Sequence, residues 1–212
     1  MLQFITNSPT VAGTVAQARQ ALRGGCKWIQ LRMKGAPKAD VECALGMVIP
    51  DCTTARATLI VDDHVDLAAI PGVSGVHLGQ TDMPVPEARK ILGPDKIIGL
   101  TINNMDHAKA AIGLPVDYFG IGPWRFTGTK ANLAPILGPE GIAEIISHLR
   151  RNAMPQPVVA IGGITADDCA RVLETGADGI AVSGIIADAP SPSAAAALLL
   201  SRLHQAELSR MN

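Results

Sequence analysis

The sequence predicts an eight-stranded α/β barrel, (β/α)8, folded as a single domain over residues 1–212. Three observations predict it. Short apolar runs alternate with segments of helical period from end to end, with no linker rich in Pro, Ser or charge between them. The runs show little period-two alternation, as expected of parallel strands buried on both faces. Six of them end in small polar clusters, which is where a parallel barrel gathers its loops at one mouth. An open doubly wound sheet is the rival, but the G-x-G-x-x-G turn expected after its first strand is absent.

Taken in order, the first strand (2–6, LQFIT) leads into a helix over 10–23, whose Val11, Val15, Ala18 and Leu22 form one stripe before Gly24-Gly25. The second strand (28–31, WIQL) ends at Arg32 and Lys34, ahead of a helix over 38–49. The third (58–61, TLIV) ends at Asp62 and Asp63, ahead of 64–70. The fourth (75–78, GVHL) is followed by Gln80 and Asp82, then a helix over 84–92 punctuated by Gly93-Pro94. The fifth (97–101, IIGLT) reaches Asn103 before 104–112. After the sixth (118–121, YFGI) comes the longest irregular stretch, 122–138, carrying Thr127, Thr129 and Lys130; loops of that length in a compact domain are usually functional. A helix over 139–151 follows it. The seventh strand (157–161) meets Gly162-Gly163 and a helix over 165–175, where Thr165 and Asp168 have capping-box spacing before Gly176. The eighth (179–182) meets Ser183-Gly184, and a helix over 192–207 closes the pattern.

Composition narrows the function. With 48% hydrophobic residues in 212, the chain can bury a full core, so disorder is not expected. The net charge is −1 and the eighteen Lys and Arg are scattered, so there is no footprint for nucleic acid. Four cysteines (26, 43, 52, 169) lack C-x-x-C spacing and are expected to be reduced thiols. MLQFITNSP does not have the form of a signal peptide, and no run is long enough for a membrane span; AAAALLL at 194–200 is too short. The expectation is a cytoplasmic protein.

The strand ends suggest two anion sites. Asp62, Asp63 and Asp82 on neighbouring strands would repel one another unless a cation or basic group lies between them. Mg²⁺ suits such a place, because it binds through one or two carboxylates plus phosphate oxygens. Equally, Asp63 can be read as a helix cap and Asp82 as the start of a turn before Pro84. Arg32, Lys34 and Lys130 tilt the balance toward a diphosphate clamp, although any one of them alone could simply be solvated. Across the barrel, IGGIT at 161–165 and AVSGI at 181–185 put glycines where backbone N–H groups can wrap a phosphate, or where turns merely pack tightly. His77 fits a hydrogen-bonded mouth or core residue better than a base, and His64 and His107 begin helices. Trp124 could cover an aromatic substrate or anchor its loop. No nucleophile–His–Asp order or zinc spacing stands out.

These residues resemble the thiamine phosphate synthase (thiamine-phosphate pyrophosphorylase) family over essentially the whole chain. The marks are QLRMK at 30–34, DDHVDLA at 62–68, GVHLGQTDMP at 75–84, IGL-T at 98–101, GIGP with TGTK over 120–130, VVAIGGI at 158–164 and GADGIAVSGI at 176–185. The resemblance implies a Mg²⁺-dependent transferase acting on two small phosphorylated substrates. The ring nitrogen of 4-methyl-5-(2-phosphooxyethyl)thiazole attacks the methylene of 4-amino-2-methyl-5-pyrimidinylmethyl diphosphate, giving thiamine phosphate and diphosphate. Diphosphate leaves early in the family, so the work falls on leaving-group stabilisation rather than a general base.

By position, the resemblance implies that Gln30, Arg32, Lys34, Asp62, Thr101 and Lys130 hold the pyrimidine diphosphate, with Arg32, Lys34 and Lys130 as the catalytic cations. Asp63 and Asp82 would bind Mg²⁺, and Thr127, Thr129, Gly163, Ser183 and Gly184 the thiazole phosphate. A homodimer is compatible with the chain but not specified by it. The sequence departs from the family at Met33 (commonly Glu), Asp62 (Asn), Asn103 (His), Ser183-Gly184 (an aliphatic residue and Ser) and 124–126 (aliphatic-Phe-Pro). Two alternatives share the barrel or the ligands: a thiazole tautomerase, which would need a base where Asn103-Asn104 stands, and a non-catalytic ligand sensor of the same pathway.

Overall fold

The computed structural model describes residues 1–125 and 135–211. In chain order the elements are β1 (Leu2–Ile5), α1 (Val11–Arg23), β2 (Trp28–Leu31), α2 (Lys38–Ala55), β3 (Thr58–Asp62), α3 (Val65–Ala68), β4 (Gly75–Leu78), α4 (Val85–Leu92), β5 (Ile97–Ile102) and α5 (Met105–Ala110). They continue with β6 (Tyr118–Ile121), α6 (Gly138–Arg151), β7 (Val158–Ile161), a 3-10 turn (Ala166–Asp168), α7 (Cys169–Glu174), β8 (Gly179–Val182), α8 (Gly184–Ala187) and α9 (Pro192–Met211). Among the described residues the strands are all parallel and close in chain order, with β8 pairing back onto β1. This is a (β/α)8 TIM barrel, as the repeating pattern predicts.

The strands are short because their interior is nearly all apolar and ends abruptly at polar or glycine residues. The main core lies between strands and helices, where Leu45, Val48, Leu59, Val61, Ile98, Phe119 and Ile142 are fully buried. A smaller cluster of Ile5, Tyr118, Val159 and Ala181, flanked by Trp28, Ile97 and Ile161, lies apart from it. Ile5, Ile161 and Ala181 also line the cavity at the mouth, which puts this cluster inside the barrel.

Several elements differ from the sequence pattern. Helix α2 runs past Pro50 to Ala55, although proline removes a helix hydrogen bond and crowds the carbonyl four residues earlier. Here that carbonyl belongs to Gly46, and both residues are exposed, so water can satisfy it. The buried stripe meanwhile continues through Val48 to Cys52 and holds the last turns down. Helices α3 and α5 are one or two turns only, the segment after β7 starts as a 3-10 turn, and a short α8 follows β8. The Thr165–Asp168 capping box forms as read from its spacing. Trp124 is buried, so it anchors its loop, and its backbone N–H donates to the Ile161 carbonyl at 2.8 Å. The cysteines are free.

Candidate active site

The ends of the strands enclose a cavity of about 540 Å³. Its walls divide into a charged arc from β2 to β5 and a glycine-rich arc from β6 to β8.

On the charged arc, Arg32 lies just beyond β2, and its backbone is clipped to β1. The Arg32 N–H donates to the Thr6 hydroxyl at 2.8 Å, and that hydroxyl donates to the Arg32 carbonyl at 2.9 Å. With its stem fixed, the guanidinium meets Asp62 at 2.9 Å, and the other Asp62 oxygen accepts from the Gln30 amide at 2.6 Å. Both partners of the ion pair are largely buried, so its attraction is weakly screened. The Gln30 side-chain oxygen is buried without a partner among the described residues. The compensation that an Asp at position 62 requires is therefore a pairing with Arg32.

Asp63 adopts a left-handed backbone conformation, φ +61°, with its N–H donating to the His77 carbonyl at 3.0 Å. Asp is one of the few side chains that tolerate this region. His64, not Asp63, occupies the N-cap of α3, and it makes no side-chain cap bond, so the capping role does not hold for Asp63. Asp63 is pushed up to about 7 by burial first, then by the charges of Asp62 and Asp82 and a hydrogen bond shared with the Asp82 carboxyl, against the pull of Arg32. Asp82 also closes its own turn, accepting from the Gly79 N–H at 2.6 Å.

Two carboxyls sharing a hydrogen bond, Asp63 on the exposed side of the mouth and Asp82 half-buried, are a poor arrangement for two negative charges and a good one around a divalent cation. Among the described residues, no three His, Cys, Asp or Glu side chains converge into a closed metal cage. An open pair is nonetheless the donor set that Mg²⁺ takes when substrate oxygens complete its shell.

Thr101, at the end of β5, lines the cavity beside this pair. Gln80 holds its carbonyl through a 2.5 Å amide bond, and His77 Nε2 contacts its hydroxyl at 2.8 Å. His77 Nδ1 in turn contacts the Tyr118 hydroxyl at 2.7 Å, which accepts from the Gln3 amide at 3.1 Å. Asn103 ties the β5 loop to β6 by donating to the Gly122 carbonyl at 2.8 Å.

The opposite arc has a different character. Gly162 (φ +106°) and Gly163 (φ +67°) turn the chain after β7, and Ser183 and Gly184 open α8 after β8; all four line the cavity. A Cβ on Gly162 would sit 2.8 Å from Pro123 and 3.1 Å from the Trp124 nitrogen, so the close approach requires glycine. The Arg125 N–H donates to the Gly162 carbonyl at 3.0 Å, and its guanidinium holds Asp168 at 2.5 Å. Asp168 accepts from the Thr165 N–H and hydroxyl at 2.7 Å. Although burial alone would raise it, the bonds from Thr165 and Arg125 hold Asp168 below the usual carboxylate range. The Ser183 hydroxyl is buried without a partner among the described residues.

Of the residues expected at the site, Gln30, Arg32, Asp62, Asp63, Asp82, Thr101, Gly163, Ser183 and Gly184 converge on the cavity. Lys34 does not line it; it lies exposed at the turn following Met33, which is buried in the core. Lys130, Thr127 and Thr129 lie outside the described residues. Gln3 and Tyr118 carry no motif in the sequence. The pattern that could have exposed them is the pairing of glycines against bulky residues across strands: Gly99 lies opposite Tyr118, and Gly120 opposite Thr101.

Residues 2–186 match the family model described as thiamine monophosphate synthase. A thiamine-phosphate synthase of Bacteroides fragilis is 50% identical over 191 residues, covering 90% of this chain and 94% of that protein. That of Methanosarcina barkeri is 38% identical over 178 residues, covering 84% and 78%. The solved thiamine phosphate pyrophosphorylase of Pyrococcus furiosus superposes with a TM-score of 0.84 at 32% identity, covering 96% of each chain.

Proposed function

Because the chain belongs to the thiamine monophosphate synthase family, we propose that it is a transferase joining 4-amino-2-methyl-5-pyrimidinylmethyl diphosphate to 4-methyl-5-(2-phosphooxyethyl)thiazole, releasing thiamine phosphate and diphosphate. The observation that carries the reading is the division of one mouth into a cationic and carboxylate arc and a neutral glycine cup, which suits one diphosphate and one phosphate. No helix among the described residues is long and apolar enough to cross a membrane.

In this reading the charged arc receives the diphosphate. Arg32 is held with one edge on Asp62, which fixes the guanidinium plane and limits the entropy lost when a phosphate oxygen docks. Asp63 and Asp82 would hold Mg²⁺, which when bound would supply positive charge to stabilise the diphosphate leaving group. Lys34, from the rim, and Lys130 add further cations, and Lys130 acts on charge developing at the leaving oxygen. Thr101 donates a neutral hydrogen bond. Gln30 offers its unpartnered oxygen to a donor on the pyrimidine side of the cavity.

Across the cavity, the backbone at Gly163 and Gly184 with the Ser183 hydroxyl, together with Thr127 and Thr129, receives the thiazole phosphate. Binding it through N–H groups adds no cation that would compete for the diphosphate. A tautomerase reading lacks its base: Asn103 stands in that place, and its backbone N–H donates to His107 Nδ1 at 3.3 Å, so His107 serves the turn rather than the cavity.

The test is turnover by purified protein with both substrates and Mg²⁺, following thiamine phosphate and diphosphate together. Equal release of the two products is expected. Substrate binding with no product would favour the sensor, and conversion of the thiazole substrate alone would favour the tautomerase.

A further inference from the structure

We propose that Gln3, Tyr118 and His77 form a one-way hydrogen-bond relay through the barrel interior. It holds His77 as the neutral Nε2–H tautomer and leaves the Thr101 hydroxyl proton for a ligand oxygen in the cavity. The ligand assignment rests on the reading of this arc as a diphosphate site. The relay makes Gln3, Tyr118 and His77 positioning residues: they act through Thr101.

The space for the relay is built into the strands. Gly99 faces Tyr118 across β5 and β6, and a Cβ there would fall 2.1 Å from the phenol ring. A Cβ on Gly120 would come within 3.2 Å of the His77 ring. Glycine inside a strand weakens it and is expected where something must approach closely. Here two glycines make room for two polar rings whose centroids lie 5.3 Å apart.

The direction follows from counting protons. The Gln3 amide N–H donates to the Tyr118 oxygen at 3.1 Å, and Tyr118 is only 2% exposed. Burial keeps the phenol protonated, so it has one proton to give. Its other partner, at 2.7 Å, is His77 Nδ1. If Nδ1 carried a hydrogen, the phenol oxygen would face two donors and its own proton would be stranded in the interior, a loss comparable to any buried unsatisfied donor. With Nδ1 accepting, the neutral ring carries its hydrogen on Nε2, 2.8 Å from the Thr101 hydroxyl. Thr101 then accepts from His77 and keeps its own proton. The reverse chain would commit that proton to His77 and present only lone pairs to an anion. Thr101 lines the cavity, so this orientation decides whether the wall attracts or repels a phosphate oxygen there.

Protein labelled with ¹⁵N-histidine reads the tautomer directly from long-range nitrogen–proton correlations at about pH 8.5, well above the ordinary His range, with His77→Asn identifying the signals. The relay predicts a protonated Nε2 and a bare Nδ1 in the unliganded protein. A protonated Nδ1 would overturn it. Kinetics give a second arm. Tyr118→Phe should lose the tautomer preference and lower kcat/KM for the pyrimidine diphosphate about tenfold, the size expected when one buried partner is removed. Thr101→Val should lose at least as much, while Thr101→Ser, which keeps the hydroxyl, should retain most of the activity. Unchanged tautomer and kinetics in Tyr118→Phe would also overturn the relay. Should the wild-type protein show the Nε2–H form but make no thiamine phosphate, the relay stands and the assigned reaction falls.

Discussion

On the β2–β5 side of the mouth the polar groups offered to the cavity are side chains, Arg32, Asp63, Asp82 and Thr101, each held by another side chain or a backbone clip. On the β7–β8 side the turns offer backbone around Gly162, Gly163 and Gly184 and the neutral Ser183 hydroxyl, and among the described residues no ionisable group lines the cavity from those turns. Asp168, in the loop after β7, is turned back onto Thr165 and Arg125 and braces the loop from behind. The difference teaches how each side can fail. Charge can be removed by truncating a side chain while the barrel stays intact. A backbone cup can be spoiled only by adding atoms or moving the loop.

The largest effect should therefore come from Arg32. Arg32→Ala removes a cation aimed at developing charge and should lower kcat/KM for the pyrimidine diphosphate by roughly 10²–10³. It also leaves Asp62 buried without its ion-pair partner, so the melting temperature should fall. Adding Asp62→Asn should restore the melting temperature but not the activity. If the double variant recovered activity, Arg32 would serve only to neutralise Asp62, and the contrast between the two arcs would break.

The cup should respond to Gly163→Ala. This residue is exposed at φ +67°, where a Cβ costs roughly 1–2 kcal/mol, so the protein should fold with modestly reduced stability. The KM for the thiazole phosphate should rise about tenfold, the loss of one or two charge-assisted amide bonds, with the Mg²⁺ requirement unchanged. A rise in the Mg²⁺ requirement instead would mean that the two arcs are not separate.

A smaller change is expected at Asp62 alone. Asn there still accepts from Gln30 but releases Arg32, so activity should persist with a shifted metal optimum, and alanine should do worse. Like wild-type kinetics and metal dependence in both variants would remove Asp62 from the site. Smallest of all is Asp168→Asn, which weakens a capping box and an ion pair; a stability loss of about 1 kcal/mol is expected. The folded-state pKa of Asp168 lies below its unfolded value, so the unfolded chain binds more protons in that window. The stabilisation is complete above about pH 4 and is lost as pH falls through the folded value. Acid unfolding curves should accordingly converge for wild type and variant at low pH.

The barrel was legible because each strand is a short apolar run with a polar or glycine stop, and eight such runs leave little alternative topology. Arg32, Asp63, Asp82 and Thr101 were legible as a group for the same reason, since parallel closure sends every strand end to one mouth. Helix α2 was misjudged at its end because a tertiary stripe through Cys52 outweighs Pro50 on a solvated face. Lys34 shows the limit of spacing: two residues past Arg32, it sits on the turn and points to solvent. Gln3 and Tyr118 were invisible because their partners come from other strands, and only strand register reveals that Gly99 and Gly120 make space for them.

The division of labour is tested most directly by steady-state kinetics on Asp82→Asn and Gly163→Ala, varying Mg²⁺ and each substrate in turn. Asn at 82 can still accept from the Gly79 N–H, so that variant should melt like wild type. The account predicts crossed results: Asp82→Asn raises the Mg²⁺ requirement and the KM for the pyrimidine diphosphate alone, and Gly163→Ala raises the KM for the thiazole phosphate alone. Both variants raising the same KM, or Asp82→Asn keeping wild-type Mg²⁺ dependence, would contradict it.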